Sequence, residues 1–364
     1  MHVGYAPVFQ NLDKPIPDQE VYNRELRLAR MAEPLGFDSV WSVEHHFTDY
    51  TMVPDVTQFL SYMAGCTERV QLGSMVIVLP WHDPVRVAEE IAMLDNLSGG
   101  RMILGIGRGL GRVEFDGFRV PMDESRERFV EAAQMVLEGL EKGYVEMDGE
   151  FTRQPRRDIR PAPHRSFHGR TFAAAVSPES MPVMARLGVG LLVIPQKPWE
   201  TVREDFEVYH GVWAETHADS APPQPMCGGF YFVDESADRA EEMAYRYIGR
   251  YYHSVMEHYE MTAGHLENLK GYEFYSRMHH HIDKRTPEGA AADFVRLMPF
   301  GTPDQVIEKL AFIRDTIDAQ GTMGHFAYGG MPYEEAERNL KLFADKVMPE
   351  VKARGERREV LPAA

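Results

Sequence analysis

Cysteine is nearly absent from this chain: Cys66 and Cys227 are the only two among 364 residues. That is too few for a disulfide framework or a thiolate metal site. Long apolar runs are missing as well, and none approaches the ~20 residues needed to cross a bilayer. Positive charge is in deficit, with 39 Lys and Arg against 56 Asp and Glu and a formal net charge of −17. A surface of that sign repels nucleic acid and anionic membranes, and no basic patch interleaved with aromatics offsets it. Met1 to Phe9 reads as a strand and not as a signal peptide, because no basic segment precedes a long apolar core. The expectation is a soluble, cytoplasmic protein. Hydrophobic residues make up 44% and charged residues 26%, a composition that supports a packed core.

The stretch from Phe37 to Phe47 organises the rest. Phe37 to Val43 carries the β-branched and aromatic residues of a buried strand, with Gly36 at its start. It runs straight into Glu44, His45 and His46, three ionisable side chains at the carboxyl end of a strand. Around it, strand and helix patterns alternate. Val3–Phe9, Val70–Leu79, Arg101–Ile106, Thr171–Val176, Gly190–Ile194, a strand ending near Val233 and Gly324–Tyr328 read as strands. Glu20–Leu35, Val56–Cys66, Pro84–Leu97, Ser125–Lys142, Glu179–Leu187, Thr201–His217, Ala237–Glu260, Thr302–Ala319 and Tyr333–Val351 read as helices. Tyr144 to Arg160 reads as a hairpin turning at Asp148-Gly149. Thr262 to Met298 has weak periodicity, and the tail from Arg354 is expected to fray.

About eight alternations with long connections demand right-handed parallel crossovers. They close most simply into an α/β fold of the (β/α)₈ barrel type with inserted excursions. A doubly wound open sheet is the alternative, and the missing G-x-G-x-x-G after the first strand counts against it. With no internal repeat and no linker, residues 1–364 are expected to form a single domain. The carboxyl ends of barrel strands ring one pocket. Here they supply Glu44, His45 and His46, then Trp81 and His82, Arg108, Ser177 and Ser180, and Pro195. Ser177-Pro178-Glu179-Ser180 leading into a helix suits a phosphate cradle or an ordinary N-cap. Arg108, between glycines, can make a charge-assisted contact to an anion.

Longer motifs add a resemblance. They are Gly36-Phe37-Asp38 with Glu44-His45-His46-Phe47-Thr48, Ile77-Val78-Leu79-Pro80 with Asp83-Pro84-Val85-Arg86, and Ser98-Gly99-Gly100-Arg101 continuing into Gly105-Ile106-Gly107-Arg108-Gly109-Leu110. Lys270-Gly271-Tyr272, Gly301-Thr302-Pro303 and Leu342 to Pro349 complete the set. With these motifs the chain resembles the bacterial luciferase-like family of flavin-dependent monooxygenases across its whole length, and most resembles the luciferase catalytic subunit.

The resemblance implies a two-component monooxygenase. FMN, delivered as FMNH₂ by a separate flavin reductase, would insert one oxygen atom from O₂ into a hydrophobic substrate such as a long-chain aldehyde through a C4a-hydroperoxide. His45 matches the catalytic histidine, a base beside the flavin, and Glu44 is a candidate to orient a histidine. Met75 and Val76 fall where the luciferase subunit has a non-prolyl cis peptide under the isoalloxazine ring. Arg108, Ser177 and Ser180 match positions that hold the FMN phosphate. Residues from about 262 to 298 match a mobile lid, with Lys284 and Arg285 among its basic residues. Two positions depart from the pattern. Gly107 stands where luciferase has a reactive-site cysteine, leaving more room near the flavin, and Val176 replaces a glutamate beside the phosphate serine.

No metal is expected. His279, His280 and His281 are consecutive and so point in different directions, and no metalloprotease-type spacing lies nearby. A deazaflavin-dependent dehydrogenase and a non-catalytic flavin-binding subunit remain as other readings of the same fold. Family barrels pair through helices near the second and third strands, which implies a homodimer. Phe59, Leu60 and Met63 can serve that contact or face the barrel wall.

Overall fold

A computed structural model describes residues 1–261, 263–267, 269–276 and 286–359. His279, His280, His281, Lys284 and Arg285, and part of the expected lid, lie outside these. Among the described residues, eight parallel strands close the central sheet: β1 (His2–Tyr5), β2 (Ser39–Ser42), β3 (Gln71–Ser74), β4 (Met102–Gly107), β5 (Thr171–Ala174), β6 (Gly190–Val193), β7 (Met226–Phe230) and β8 (Gly321–His325); a ninth strand of two residues, Ile77–Val78, also pairs with β4. Each pairs with the next, and β8 returns to β1 with His2 opposite Gly321 and Tyr5 opposite Gly324. The sheet is therefore a closed (β/α)₈ barrel, in which no strand edge is left bare.

Local chemistry explains the connections. The helix Pro84–Leu97 starts with Pro in its first turn, and its N-cap Asp83 accepts from the main-chain nitrogens of Val85 and Arg86. The helix Pro303–Ile317 opens with a full capping box between Thr302 and Gln305. The helix Asp18–Leu35 ends on Gly36 in the left-handed conformation, φ 93°. Apolar faces of these helices pack onto the outside of the barrel, where Phe59, Leu60 and Met63 are buried in the main core. Those three face the barrel wall and leave nothing for a contact between chains. Among the described residues, no helix is long and apolar enough to cross a membrane.

Inside the barrel, Trp41, Ile103, Phe172, Met226 and Met323 form a separate plug. The indole fits because β1 and β3 carry glycine beside it. A Cβ at Gly4 would lie 2.6 Å from Trp41 Nε1, and one at Gly73 2.3 Å from Trp41 Cε3. The lower barrel is thus filled, and open space is left only toward the carboxyl ends of the strands.

Two excursions rise over that end. After β4 come a short helix, Arg112–Phe118, and the helix Ser125–Lys142. The expected hairpin follows as Tyr144–Asp148 and Arg153–Asp158. Asp148 pairs with Arg153, so the connection is the four-residue loop from Gly149 to Thr152 and not a two-residue turn at Asp148-Gly149. Glu131 holds that loop by accepting from the main-chain nitrogens of Glu150, Phe151 and Thr152. After β7 comes the long helix Ala237–His258, and the helix Pro287–Leu297 packs against it. The final helix continues through Glu359, beyond the fray expected from Arg354.

Candidate active site

Residues after the strand ends surround a cavity of about 240 Å³. Glu44, His45, Met75, Val76, Gly107, Arg108 and Ser180 line it, while Ser177 does not and stands behind Ser180. His45 and Arg108, the two on which the flavin reading depends, share it.

At one end, just past β2, neighbouring side chains find different partners. Glu44 bonds to His46, and His45 bonds elsewhere. Glu44 is buried, and its Oε1 lies 2.7 Å from His82 Nε2 and 3.1 Å from His46 Nε2. Its Oε2 accepts from the main-chain nitrogen of Val78 at 2.8 Å. Burial opposes ionisation here, but hydrogen bonds from His46 and His82 outweigh it and hold the carboxyl below its ordinary range. The same pair raises the His82 pKa against the effect of burial. Glu44 therefore braces His46, His82 and Val78; its hydrogen bonds do not reach the His45 ring.

The partner of His45 is Glu114, from the short helix Arg112–Phe118. His45 Nδ1 is 3.0 Å from Glu114 Oε1, which also accepts from the main-chain nitrogen of His46 at 3.0 Å. His258 brings its Nε2 to 3.4 Å from the same oxygen, an electrostatic contact longer than a good hydrogen bond. Burial alone would push the Glu114 carboxyl up, yet the charge of His45 and the contacts from His258 and His45 hold it at about 2. His258 moves the other way, lowered chiefly by burial. With Nδ1 directed at a carboxylate, the other nitrogen of His45 is left for the cavity, 3.5 Å from the Tyr259 hydroxyl. Tyr50, Tyr259 and His258 wall the imidazole, at ring-centroid distances of 4.8, 5.9 and 5.0 Å.

At the other end two arginines converge. Arg108 donates to the main-chain oxygen of Gly271 at 2.6 Å, and Arg126 donates to that same oxygen at 3.1 Å and to Glu179 O at 3.1 Å. The Arg126 pKa is lowered by burial and by the neighbouring Arg108. Two guanidiniums crowded onto one carbonyl suit a dianion. Ser180 lines the cavity beside them, and its hydroxyl is 2.9 Å from that of Ser177. Neither hydroxyl caps the helix Met181–Leu187, so the ordinary N-cap role does not account for them. Val176 also lines the cavity, and its carbonyl accepts from Lys197.

Between the two ends, the Met75–Val76 peptide is cis. The extra room expected at Gly107 is taken: a Cβ there would lie 2.3 Å from Val76 Cγ2. The remaining wall is largely apolar, with Val43, Leu110, Phe129, Leu192 and Phe294. Of the expected lid, Leu266 and Tyr272 pack with Met261 into a small core of their own, and its later part is the helix Pro287–Leu297. Tyr272 stacks under Arg108 with the guanidinium carbon 4.0 Å from its ring centroid.

The model of the luciferase-like monooxygenase family matches residues 1–320. The chain belongs to the luciferase-like monooxygenase family. Family resemblance extends over nearly whole proteins. The chain is similar to the alkanal monooxygenase alpha chain of Photorhabdus luminescens, 28% identical over 344 residues that cover 92% of this chain and 93% of the relative. It is also similar to the oxygenase component of a flavin-dependent trigonelline monooxygenase from Acinetobacter baylyi, 25% identical over 91% and 90% of the two chains. Among solved structures, the monooxygenase RslO1 from Streptomyces bottropensis superposes with a TM-score of 0.79 at 26% identity, covering 96% and 99%. As a member of this family the chain is an oxidoreductase.

Sequence reasoning missed Glu114, Arg126, His258 and Tyr259. Arg126 sits on a helix that was recognised, but the face it presents was not legible. Glu114 lies on a helix of seven residues, too short to carry a 3.6-residue period.

Proposed function

We propose that this protein is the oxygenase component of a two-component system. It takes FMN reduced by a separate reductase and inserts one oxygen atom from O₂ into a hydrophobic substrate such as a long-chain aldehyde. The observation that carries this reading is the pairing of Arg108 and Arg126 on the Gly271 carbonyl, across one apolar-walled cavity from His45. The residues fit a flavin mononucleotide: two cations and the Ser180 hydroxyl, backed by Ser177, would hold its phosphate. The Met75–Val76 segment and the apolar walls would flank its ring. Bound there, reduced FMN supplies the reaction with O₂.

The protein's own part is to orient, dry and exchange protons. Apolar walls around the ring keep water from the reacting centre. Glu114 orients His45 through Nδ1 and leaves Nε2 to take a proton from the reacting groups or return it. The two ends of the cavity thus divide the work between grip and proton transfer.

A deazaflavin dehydrogenase on the same scaffold is the second reading, since a two-arginine grip serves any flavin phosphate. Mixing the protein with reduced FMN or a reduced deazaflavin, then with O₂ and a panel of aldehydes and ketones, separates the two. Oxygenated product with FMN supports the proposal. Product-free flavin binding, or hydride transfer with the deazaflavin alone, overturns it. We further propose a homodimer, with Tyr62, Met93 and Leu97 exposed on the neighbouring helices Val56–Cys66 and Pro84–Leu97. Sedimentation at the mass of one chain would refute it.

A further inference from the structure

His45, Glu114 and His258 come from three separate elements, and their potential ligand atoms lie within 4.8 Å of one another. Two imidazoles and one carboxylate form a donor set suited to zinc, cobalt or ferrous iron, and unlike the all-oxygen sets of calcium and magnesium. The spacing fits. Ligands 2.0–2.1 Å from a tetrahedral ion stand roughly 3.3 Å apart; His45 Nδ1 and His258 Nε2 are 3.0 and 3.4 Å from Glu114 Oε1.

The surroundings also fit. A histidine ligand is generally held at its other nitrogen by a polar partner. Here His258 Nδ1 lies 2.8 Å from the Thr48 hydroxyl, and His45 Nε2 faces that of Tyr259. A second observation points to a ligand independently. Glu114 Oε2 and His258 Nε2 are buried with no hydrogen-bond partner, in residues 0% and 5% exposed. A buried polar atom left in that state is costly, and a cation held by Glu114 Oε1 and His258 Nε2 satisfies the nitrogen.

We infer that His45, Glu114 and His258 form a binding site for a divalent cation of the zinc class, with its fourth coordination position toward the cavity. The ion takes the lone pair of His45 Nδ1; in a neutral ring the proton formerly there moves to Nε2, and in an imidazolium it leaves to solvent while Nε2 keeps its own. Nε2 then no longer accepts a proton, so an occupied site inhibits turnover. That inhibitory consequence rests on the role proposed for His45; cation binding itself does not.

The test uses the full-length protein stripped with a chelator, without flavin. Calorimetric titration with zinc sulfate should give one tight equivalent per chain, and Co²⁺ should develop the visible absorption of a site with three protein ligands. His258→Asn and Glu114→Gln should both lose that equivalent, and Thr48→Val should weaken it roughly 10- to 100-fold. Thr48→Val leaves the ligand set whole, so it decides the matter if the buried variants fail to fold. No tight equivalent, or one that His258→Asn and Thr48→Val leave unchanged, overturns the inference. In a separate measurement, zinc should suppress oxygenation and a chelator restore it. Because the titration contains no flavin, an error in the cofactor assignment would show only in that second measurement.

Discussion

Glu114→Gln is the substitution on which the geometry speaks most clearly, since it keeps the shape of the side chain and removes its charge. The carboxyl is held at about 2 against an ordinary 4.5. At ~1.4 kcal/mol per unit, that difference corresponds to about 3 kcal/mol favouring the ionised form in the folded protein. A depressed folded-state value means the stabilisation is fully present above the ordinary value and is lost as pH falls through the depressed one. The window for this side chain is therefore pH 4.5 down to about 2. At pH 7 the variant should be less stable by about 1–3 kcal/mol, read as a shift in the denaturant midpoint with unchanged slope. The gap between wild type and variant should stay constant above pH 5 and shrink on acidification. In the same variant His45 loses the carboxylate that orients Nδ1, and product formation should fall roughly 10²-fold. A gap that persists at pH 2.5, or a variant as stable as wild type at pH 7, would refute the reasoning.

The other expectations are simpler. Arg126→Ala should weaken FMN binding by about 10- to 100-fold, the worth of charge-assisted hydrogen bonds. Riboflavin, which lacks the phosphate, should bind wild type and variant equally, so fluorescence titration of both flavins checks the site of the effect. His45→Ala should lose product formation by about 10²-fold or more while FMN affinity survives, and undiminished product would sink the assigned role. Asp95→Ala should destabilise the fold by about 3–5 kcal/mol, because it leaves the buried Arg170 without its two-pronged partner at 2.6 and 2.9 Å. Thermal unfolding measures that directly. Gly105→Ala should also destabilise strongly, since its Cβ would lie 1.9 Å from the Ser74 main-chain oxygen.

The barrel was legible because apolar strands, amphipathic helices and Gly or Pro punctuation recur in regular alternation. The pocket residues at strand ends followed from that topology, which is why His45 and Arg108 could be named together. What stayed hidden depends on contacts between distant segments. His258 meets Thr48 across 210 positions, and nothing local to either marks the pairing. Glu44 was a candidate to orient a histidine, but adjacency did not say which; its carboxylate goes to His46 and His82. The faces of a helix were equally ambiguous: Phe59, Leu60 and Met63 suited a barrel wall or a partner chain, and only packing distinguishes the two. The space beside Gly107 was misjudged for the same reason, because Val76 comes from another strand's end.

The central claim is that one cavity holds a phosphate-bearing flavin between an arginine pair and His45. The most direct measurement is a crystal structure of the full-length protein with FMN bound. The account predicts the phosphate within hydrogen-bond distance of both Arg108 and Arg126, and the isoalloxazine ring within reach of His45 Nε2. A phosphate bound away from those arginines, or a ring on the far side of the barrel from His45, would contradict it.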